Sequence, residues 1–569
     1  MGAWSEKGEL ARDAAGKALR RVRGHAYAVG RHFWPFGRLH GTRLLFAPHD
    51  LRTSDPTVAM DIYAGYFTFS GRTVATQGQS PFEVDAPGPD WEEALYGFAW
   101  LRHLRAADTA IARSNARALV EDFIAARHDR TPVAASPAVT ARRLMSWLAQ
   151  SPLLLEGADH GFYDRYLRQL CRMIEQLDRA LAGPLTGLPR LQALSAIALA
   201  CLCLEGLERR SEGAGIDLSK ELDRQILPDG GHVSRNPALL IDLLLDLLPL
   251  RETCLARGLE VPRGLVMAVD RIMPHLKLFR HSDGDLALFN GMGLTQADVL
   301  ATLVAYDDAR GRAIEHAPYS GYDRMEAGDS IAIVDTGPPP PRAHSAQAHA
   351  GTLAFEFSSN GQRLVINCGV PRAGTAAMLQ AARVTAAHST LAVGERSSSR
   401  FGTVMGTRRV VAGPRDVHVG REGLLLEASH DGYRKGFGID HHRRLELSAD
   451  GAILSGEDQV VRLSGEADLP CELRFHLHPA LKASLVQDGA GALILTPSGE
   501  AWAFEAPDHR VTIEESVLFA SADRLRRREQ LVIRFDGATT SSVIWRFARI
   551  GTAPRRTPST SSMSGDRLV

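Results

Sequence analysis

The spacing of hydrophobic positions changes once along this chain, near residue 316. Between about residues 90 and 315, apolar side chains recur every three or four positions, which predicts amphipathic helices. Proline and glycine separate the helical segments, as short turns between helices require. The predicted helices span 91–107, 114–126, 138–150, 162–181, 191–209, 237–256, 264–279 and 296–307. A run of helices without intervening strands indicates an all-α layer, either a bundle or a solenoid.

Beyond Tyr319 the pattern alternates with a period of two or runs through β-branched residues, which is typical of strands. The predicted strands span 330–334, 351–357, 388–393, 424–427, 443–447, 460–463, 472–477, 492–495, 511–518 and 531–535. Many short consecutive strands favour antiparallel sheets stacked as a sandwich. The fold class predicted is therefore α+β and multidomain, with helices first and sheets after them.

One hairpin stands out within the strand region. The apolar runs 352–357 and 363–367 flank Asn360-Gly361, and Asn-Gly between such runs is a strong hairpin signal. Histidines stand where the chain enters this unit, at His344 and His349, and where it leaves it, at His388. Imidazoles at strand edges are able to converge on one metal ion or one substrate.

Composition narrows the functional class. The 569 residues are too many for one ordinary core, and 44% hydrophobic with 23% charged residues is typical of a soluble globular protein. Lysine plus arginine equals aspartate plus glutamate at 66 each, so the whole chain gives no reason to expect nucleic acid as a partner. The six cysteines form no Cys-x-x-Cys pair, which predicts buried thiols.

The sequence was searched for targeting and membrane-spanning segments, and none is evident. Residues 11–29 form a basic amphipathic stretch, which predicts a surface helix or, as the alternative, a membrane-associating one. No signal peptide is evident, and the most apolar segments, 191–204 and 237–250, are too short to span a bilayer. The polar tail 552–569 is predicted to be disordered.

Several motifs resemble those of one enzyme family. The text QAHAGTLAFEF, then INCG, then AAHST, is similar to the C-terminal domain of the heparinase II/III-like polysaccharide lyases, and LPDGGH at 227–232 is similar to a segment of their helical domain. The resemblance extends from about residue 90 to 550. It implies an N-terminal incomplete (α/α) toroid followed by a C-terminal antiparallel β-sandwich. The implied domains are 1–89, packing on the toroid, the toroid at 90–316, the sandwich at 317–551 and the tail at 552–569.

The same resemblance implies one structural zinc or other divalent cation and no organic cofactor. Carried over by motif, its ligands are His349, Asn367 and His388. Asparagine replaces the family's aspartate at 367, and a neutral amide is a weaker ligand than a carboxylate. The alternative is that the two histidines are hydrogen-bonded members of a sheet that faces the helical region.

A second candidate set follows the turn Asp229-Gly230-Gly231, just before a helix that begins with proline. The family's reaction removes the proton next to a uronate carboxylate and expels the 4-linked sugar, which needs a carboxylate neutraliser, a base and an acid. His232, Arg235 and Asn236 offer two of these three roles. The alternative is a helix cap beside a surface arginine.

The family's tyrosine is missing from this segment, because Leu239 occupies its position. Tyr319 or Tyr322 is the candidate replacement, although a buried structural tyrosine is the competing interpretation. Four further residues are expected to contact substrate: His281, Asn290, His344 and Gln347.

The resulting hypothesis is a polysaccharide lyase that cleaves a uronate-containing polysaccharide by β-elimination. The alternative is a catalytically impaired member that binds acidic glycans of the cell envelope, and a third possibility is a glycoside hydrolase with paired carboxylates. The resemblance implies a location in the cell envelope (periplasm), with the cytoplasm as the alternative. The sequence does not define the oligomeric state.

Overall fold

The protein is described by a computed structural model that covers residues 43–306, 312–404, 406–465, 468–486, 488–522 and 525–551. The predicted helix at 11–29 and the predicted disordered tail at 552–569 lie outside these residues. The described chain is helical in its first half and consists mainly of strands in its second half, as the hydrophobic pattern predicts.

Within the described ranges, twelve helices precede the change of pattern near residue 316, and two short ones follow it within the strand region. They are α1 Thr57–Tyr63, α2 Pro89–Gly97, α3 Leu101–Ala107, α4 Ala110–Ala125, α5 Pro137–Ala149, α6 Ser151–Leu155, α7 His160–Ala182, α8 Leu188–Cys203, α9 Glu208–Gln225, α10 Pro237–Ala256, α11 Arg263–Leu278, α12 Ala297–Ala305, α13 Ala376–Ala381 and α14 Arg434–Phe437. Short 3-10 turns lie at His128–Arg130, Arg342–His344 and Thr385–Ala387.

Helix α10 has the predicted bounds. One predicted helix is corrected, and one observed helix was not predicted. The segment predicted as one helix at 91–107 is two helices, because Phe98 takes the left-handed conformation (φ 56°) and ends the first of them. Helix α9 was not predicted. Its sequence is mostly polar and contains two glycines, so its few buried side chains, such as Leu218 and Leu222, leave only a sparse apolar pattern.

The strands in the described part of the chain form five antiparallel sheets. They are β1 Tyr66–Phe69, β2 Arg72–Ala75, β3 His316–Ala317, β4 Tyr322–Ala327, β5 Ser330–Asp335, β6 Phe355–Ser359, β7 Gln362–Val365, β8 Leu391–Val393, β9 Arg400–Val404, β10 Thr407–Ala412, β11 Val417–Glu422, β12 Leu425–His430, β13 Ile439–Leu447, β14 Ile453–Arg462, β15 Pro470–His476, β16 Lys482–Leu485, β17 Gly491–Leu495, β18 Ala501–Glu505, β19 Val511–Leu518, β20 Arg526–Asp536 and β21 Ser542–Gly551. The sheet orders are β1-β2, β10-β9, β3-β4-β5-β6-β7, β19-β20-β15-β8 and β11-β12-β13-β14-β21-β18-β17-β16. The predicted hairpin is confirmed, since β6 and β7 flank Asn360 and Gly361, which both have positive φ.

The five-stranded sheet lies between the helices and the other sheets. Along β5, Ile331 and Ile333 belong to the helical core, while Ala332 and Val334 belong to the core that the sheets share. This alternation follows from the two-residue period of a strand. On the sheet side, the ring of Trp545 is 5.4 Å from Phe355 and 4.8 Å from Phe475, so three sheets meet in one core. The architecture is thus a helical region packed on a sheet region through β3–β7.

The remaining sequence predictions about this region concern membranes and cysteines. No described helix combines the length and the apolar character needed to cross a membrane. All six cysteines lie in the described ranges, are buried and form no disulfide bond, which confirms the prediction of buried thiols.

Candidate functional site

The loop that precedes α10 is held firmly where helices and sheets meet. Asp229 accepts hydrogen bonds from the backbone amides of Tyr319 (2.9 Å) and Ser320 (2.7 Å) in the loop before β4. Gly230 has a φ of 88°, and a Cβ there would lie 1.9 Å from the carbonyl oxygen of Arg271 on α11. Only glycine fits this close approach, which explains the Asp-Gly-Gly turn of the motif.

Arg235 points from this loop into the sheet region and is buried. Its Nε donates to the carbonyl of Ser320 (2.6 Å), and its Nη atoms donate to the carbonyls of Gly321 (2.7 Å), Gly337 (3.1 Å) and Pro338 (2.8 Å). Nη2 also forms an ion pair with Asp335 at 2.6 Å. Every nitrogen of the guanidinium therefore has a partner in the protein, and Arg235 joins the helical loop to β5.

Tyr322 lies under this guanidinium, 4.7 Å from the arginine to its ring centre. Its hydroxyl donates to the carbonyl of Arg235 (2.6 Å) and accepts from Nδ2 of Asn290 (2.7 Å). Burial raises the pKa of Tyr322 above its ordinary value. Asn290 also accepts a hydrogen bond from the backbone amide of His349 at 3.0 Å. The tyrosine and the asparagine are thus parts of one buried network.

Asn236 caps α10 and connects the helix to the loop before β6. Its Oδ1 accepts from the amide of Ala238 (2.9 Å), and its Nδ2 donates to Oε1 of the exposed Gln347 (2.8 Å). The proline at the first position of the helix needs no amide partner, so the Asn-Pro sequence suits this helix start.

His232 is buried behind the same loop. Its Nδ1 accepts from the amide and the hydroxyl of Ser234, so the neutral ring carries its proton on Nε2, 3.1 Å from Oε1 of Gln225. Burial lowers the pKa of His232 to about 3. The imidazole is neutral at physiological pH, and both of its nitrogens are already hydrogen-bonded.

His281 pairs with a buried carboxylate on β6. Its Nε2 lies 3.0 Å from Oε2 of Glu356, and its Nδ1 lies 2.9 Å from the hydroxyl of Ser358. The other oxygen of Glu356 accepts from the amides of Leu288 (3.0 Å) and Asn367 (2.8 Å). Glu356 on β6 therefore ties His281 and Leu288, in the loop between α11 and α12, to the five-stranded sheet.

The three predicted metal ligands do not form a set of three free donors. Nδ1 of His388 is 2.8 Å from the carbonyl of Val384, so its Nε2 accepts from Nδ1 of His349 at 3.0 Å. Asn367 uses Oδ1 on the amide of Ser389 and Nδ2 on Glu356. Nε2 of His349 is buried without a partner.

Burial keeps His349 and His388 neutral, and the chain around them is closely packed. It lowers the pKa of His388 to about 4 and that of His349 well below its ordinary value. A Cβ at Gly351 would lie 2.7 Å from Cδ2 of His388, so the imidazole ring fills the space that a larger residue at 351 would need. No group of three histidine, cysteine or acidic side chains in the described ranges is arranged to bind a metal. The zinc does not follow from this geometry and stays a prediction.

His344 lies half-buried at the surface end of the network, its ring 6.3 Å from that of His232. Burial and the nearby Arg409 lower its pKa. Arg409 donates to the carbonyl of Arg342 at 3.1 Å, and Arg383 donates to the carbonyl of Arg408 at 3.2 Å. We call Arg342, Arg383, Arg408 and Arg409 the basic rim.

Ten of the eleven predicted residues belong to one connected set of contacts. The loop 229–236, the loop 342–349 and β6 connect them. His344 lies at the edge of this set, with its ring near that of His232. Their roles in binding or catalysis stay predictions. Sequence reasoning missed Asp335 and Glu356, which hold the network together. Each is an acidic residue within an apolar strand sequence, and that placement alone could have marked them as buried and paired.

Comparisons with known proteins agree with this architecture. A family model for the heparinase II/III-like C-terminal domain matches residues 309–546. The chain is 32% identical over 487 residues to the FtsZ-localized protein C of Caulobacter vibrioides, covering 80% of this chain and 81% of that protein. This relative is described by its localisation.

Solved structures show the same fold at low sequence identity. Heparinase III has a TM-score of 0.70 at 14% identity, covering 97% of this chain and 91% of that one. The heparan sulfate lyase HepC from Pedobacter heparinus has a TM-score of 0.59 at 15% identity, covering 96% and 91%. Together with the 32% identical relative and the matched domain, these findings show that the chain belongs to the heparinase II/III-like family.

Proposed function

We propose that this protein binds an acidic, uronate-containing polysaccharide at the boundary between its helices and its sheets, without cleaving it by β-elimination. We further propose that the helices form an incomplete (α/α) toroid whose ends line the binding groove, which the likeness to heparinase III supports. In this proposal the polymer lies at the boundary between helices and sheets, and the side chains there decide between binding and cleavage.

One observation carries the proposal. Arg235, Tyr322 and His232 are buried with their polar atoms hydrogen-bonded within the protein, whereas Arg342 and Arg409 of the basic rim are half-buried, donate only to backbone carbonyls and pair with no carboxylate among the described residues. A group that neutralises a substrate carboxylate or transfers a proton must be free to reach the substrate. Leu239, at the position of the family's tyrosine, has no proton to transfer.

The basic rim has the properties of an anion-binding surface. Arg408 is exposed, and Arg342 and Arg409 are half-buried, so solvent and ligands reach them. Arg383 is buried and donates to the carbonyls of Ala348, Ser345 and Arg408, and burial together with the like charge of Arg408 lowers its pKa to about 10. Guanidinium groups bind carboxylates and sulfates through paired hydrogen bonds, so an anionic glycan would relieve this repulsion.

The test compares binding and cleavage on the same polymers. Oligomers of galacturonate, alginate and heparan sulfate are titrated calorimetrically, and the near-ultraviolet absorbance of an unsaturated uronate is followed in parallel. We expect binding of at least one polymer without absorbance change, and Arg408→Ala to weaken it about three- to fivefold. The matched control is Arg527→Ala, an exposed arginine on β20. A rise in absorbance would establish elimination instead, and no binding to any polymer would refute the proposal.

The 32% identical relative carries FtsZ localisation in its name, and the share of both chains covered supports the same for this protein. We therefore propose that this chain also localises with FtsZ. A fluorescent fusion imaged together with labelled FtsZ checks this, and a distribution independent of FtsZ would refute it. The envelope and cytoplasmic alternatives are separated by a reporter that fluoresces only in one compartment.

A further inference from the structure

An open apolar groove lies between α9, the end of α10 and the start of α11, and we call it the α9 groove. Its cavity has a volume of about 790 Å³. The buried Leu202 and Leu250 line it, and so do Ile216, Leu259 and Met267, which are 47%, 42% and 41% exposed. Apolar side chains left open to solvent in one concave place are typical of a surface that binds another apolar segment.

Two glycines show that the helices beside this groove are already in contact. A Cβ at Gly264 on α11 would lie 2.5 Å from the Cβ of Ser219 on α9. A Cβ at Gly215 on α9 would lie 3.0 Å from Cγ of Pro262, just before α11. The two helices cannot move closer to fill the cavity, so the groove stays open unless another segment enters it.

The charges that remain unpaired on the rim of the groove are mainly acidic. Glu212 and Glu260 line the groove, are exposed and form no ion pair with any residue of the described ranges. Of the two basic residues that line it, Lys220 lies 3.7 Å from Asp217, whereas Arg263 is exposed. Such a rim suits a basic segment better than an acidic one.

The described chain begins beside this groove. An antiparallel bridge pairs Leu44 with Leu204, just after α8. Because the pairing is antiparallel, the residues before Arg43 lead toward α9, which begins at Glu208. The α9 groove starts one turn into that helix, at Ser211. The 42 residues outside the structure at this end therefore join the protein close to the groove.

These residues contain the basic amphipathic stretch 11–29. On a helix, Ala15, Ala18, Val22, Ala26 and Val29 would share one face, because three or four residues separate neighbours. The lysine and the four arginines of the stretch fall outside that face, and it has one acidic residue. Small apolar side chains allow a helix to lie deep in a groove, and the basic flanks match the acidic rim.

The lengths are compatible with docking inside one chain. A helix over residues 11–29 would be about 28 Å long, and the part of α9 that lines the groove, 211–223, rises about 18 Å. The connecting residues 30–42 span up to about 45 Å when extended. A tether of this length gives the segment an effective concentration of about 1 mM, so weak contacts are sufficient for docking.

We propose that residues 11–29 dock as a helix in the α9 groove of their own chain. Their apolar face covers Ile216, Leu259 and Met267, and their basic residues lie beside Glu212 and Glu260. This inference does not depend on the binding of a glycan.

Photo-crosslinking in the full-length chain tests the docking. The photoreactive residue p-benzoylphenylalanine is placed at Ile216 or at Met267, and mass spectrometry identifies the crosslinked peptides after irradiation. We expect crosslinks to residues 11–29 of the same chain, and a mixture of light and heavy isotope-labelled protein distinguishes them from crosslinks between copies. The matched control places the same group at Val266, the exposed neighbour of Met267 that does not line the groove.

Substitutions then test which contacts hold the segment. Val22→Asp puts a charge on the apolar face and should lower the crosslinking yield about tenfold. Gly24→Asp puts the same carboxylate on the opposite face and should leave the yield near that of wild type. Glu212→Lys should lower the yield about three- to fivefold. Its control is Asp270→Lys, because Asp270 is exposed on α11 and does not line the groove.

Each outcome supports or refutes the docking. Crosslinks from both groove positions that Val22→Asp removes would support it. No crosslink to residues 11–29, or equal crosslinking from Val266, would refute it. Crosslinks between copies would assign the groove to a second molecule of this chain. Cosedimentation of the wild type with phosphatidylglycerol vesicles, without the crosslink within one chain, would assign the stretch to a membrane surface instead.

Discussion

Arg235 and Asp335 form an ion pair that is buried where the helices meet the sheets, with Nη2 and Oδ1 2.6 Å apart. The pair joins the loop before α10 to the end of β5. A buried ion pair contributes to stability only when its remaining hydrogen bonds are satisfied, and the carbonyls around Arg235 meet that condition.

Replacing Arg235 by alanine should lower the unfolding free energy, because we interpret Arg235 as a structural residue and not as a ligand-binding one. Asp335 would keep a buried charge without its partner, which costs about 3–5 kcal/mol of unfolding free energy. Urea denaturation measures the change, and Arg527→Ala should stay within about 0.5 kcal/mol of wild type. Normal stability combined with weakened glycan binding would instead assign Arg235 to the ligand.

Tyr322→Phe should lower the unfolding free energy by about 1–3 kcal/mol, because Asn290 and the carbonyl of Arg235 each lose a buried partner. The control is Tyr319→Phe, since Tyr319 is 65% exposed and its loss of a hydroxyl should change nothing. Equal stability of the two variants would show that the Tyr322 hydroxyl is not part of the network.

A chelator distinguishes two interpretations of His349 and His388: a hydrogen-bonded pair, or ligands of the predicted zinc. The quantity measured is the midpoint of unfolding. If the pair is structural, prolonged treatment with EDTA leaves the midpoint of wild-type unfolding unchanged, and this is the result we expect from the geometry. His388→Ala should then cost about 1–3 kcal/mol with or without chelator, because His349 loses its acceptor. A midpoint that falls in EDTA for the wild type alone, with about one zinc per chain by metal analysis, would establish the zinc.

Acid should destabilise the protein below about pH 6.5, the ordinary pKa of histidine. Burial lowers the folded-state pKa of His232 to about 3 and that of His388 to about 4, so the unfolded chain binds more protons between those values and pH 6.5. The unfolding free energy therefore falls as the pH falls, by up to about 1.4 kcal/mol per pH unit for each such histidine. The loss is complete once the pH passes below the folded-state pKa.

The matched measurement is a series of urea midpoints from pH 7.5 to 4.5. His232→Gln should show a shallower decline than wild type, because one of the titrating groups is gone. A pH dependence identical to wild type would mean that His232 titrates normally in the folded protein.

Sequence patterns predicted those parts of the fold that rest on local spacing. The bounds of α10 follow from an Asn-Pro start and a long apolar run, and the β6–β7 hairpin follows from Asn360-Gly361. Helix α9 was not predicted because only a few of its side chains are buried. The break at Phe98 was not predicted because no glycine or proline marks it. Such features depend on packing between distant segments, which spacing does not record.

The candidate site shows the same division. Motifs placed His349 near His388, and the structure brings their rings to 5.1 Å between centres. The motifs did not reveal that Arg235 would be held by carbonyls from the loops around β4 and β5, because those partners are backbone atoms that any sequence supplies. Whether a side chain is free for a ligand is decided by such contacts.

The contacts of Glu356 have a consequence for how a polymer reaches the groove. Together with the Arg235–Asp335 ion pair they fasten the helical region to the five-stranded sheet through buried charged groups, so we expect the two regions to move as one body. We therefore expect no closure around a ligand. A polysaccharide would then meet a surface that is already in place in the unbound protein.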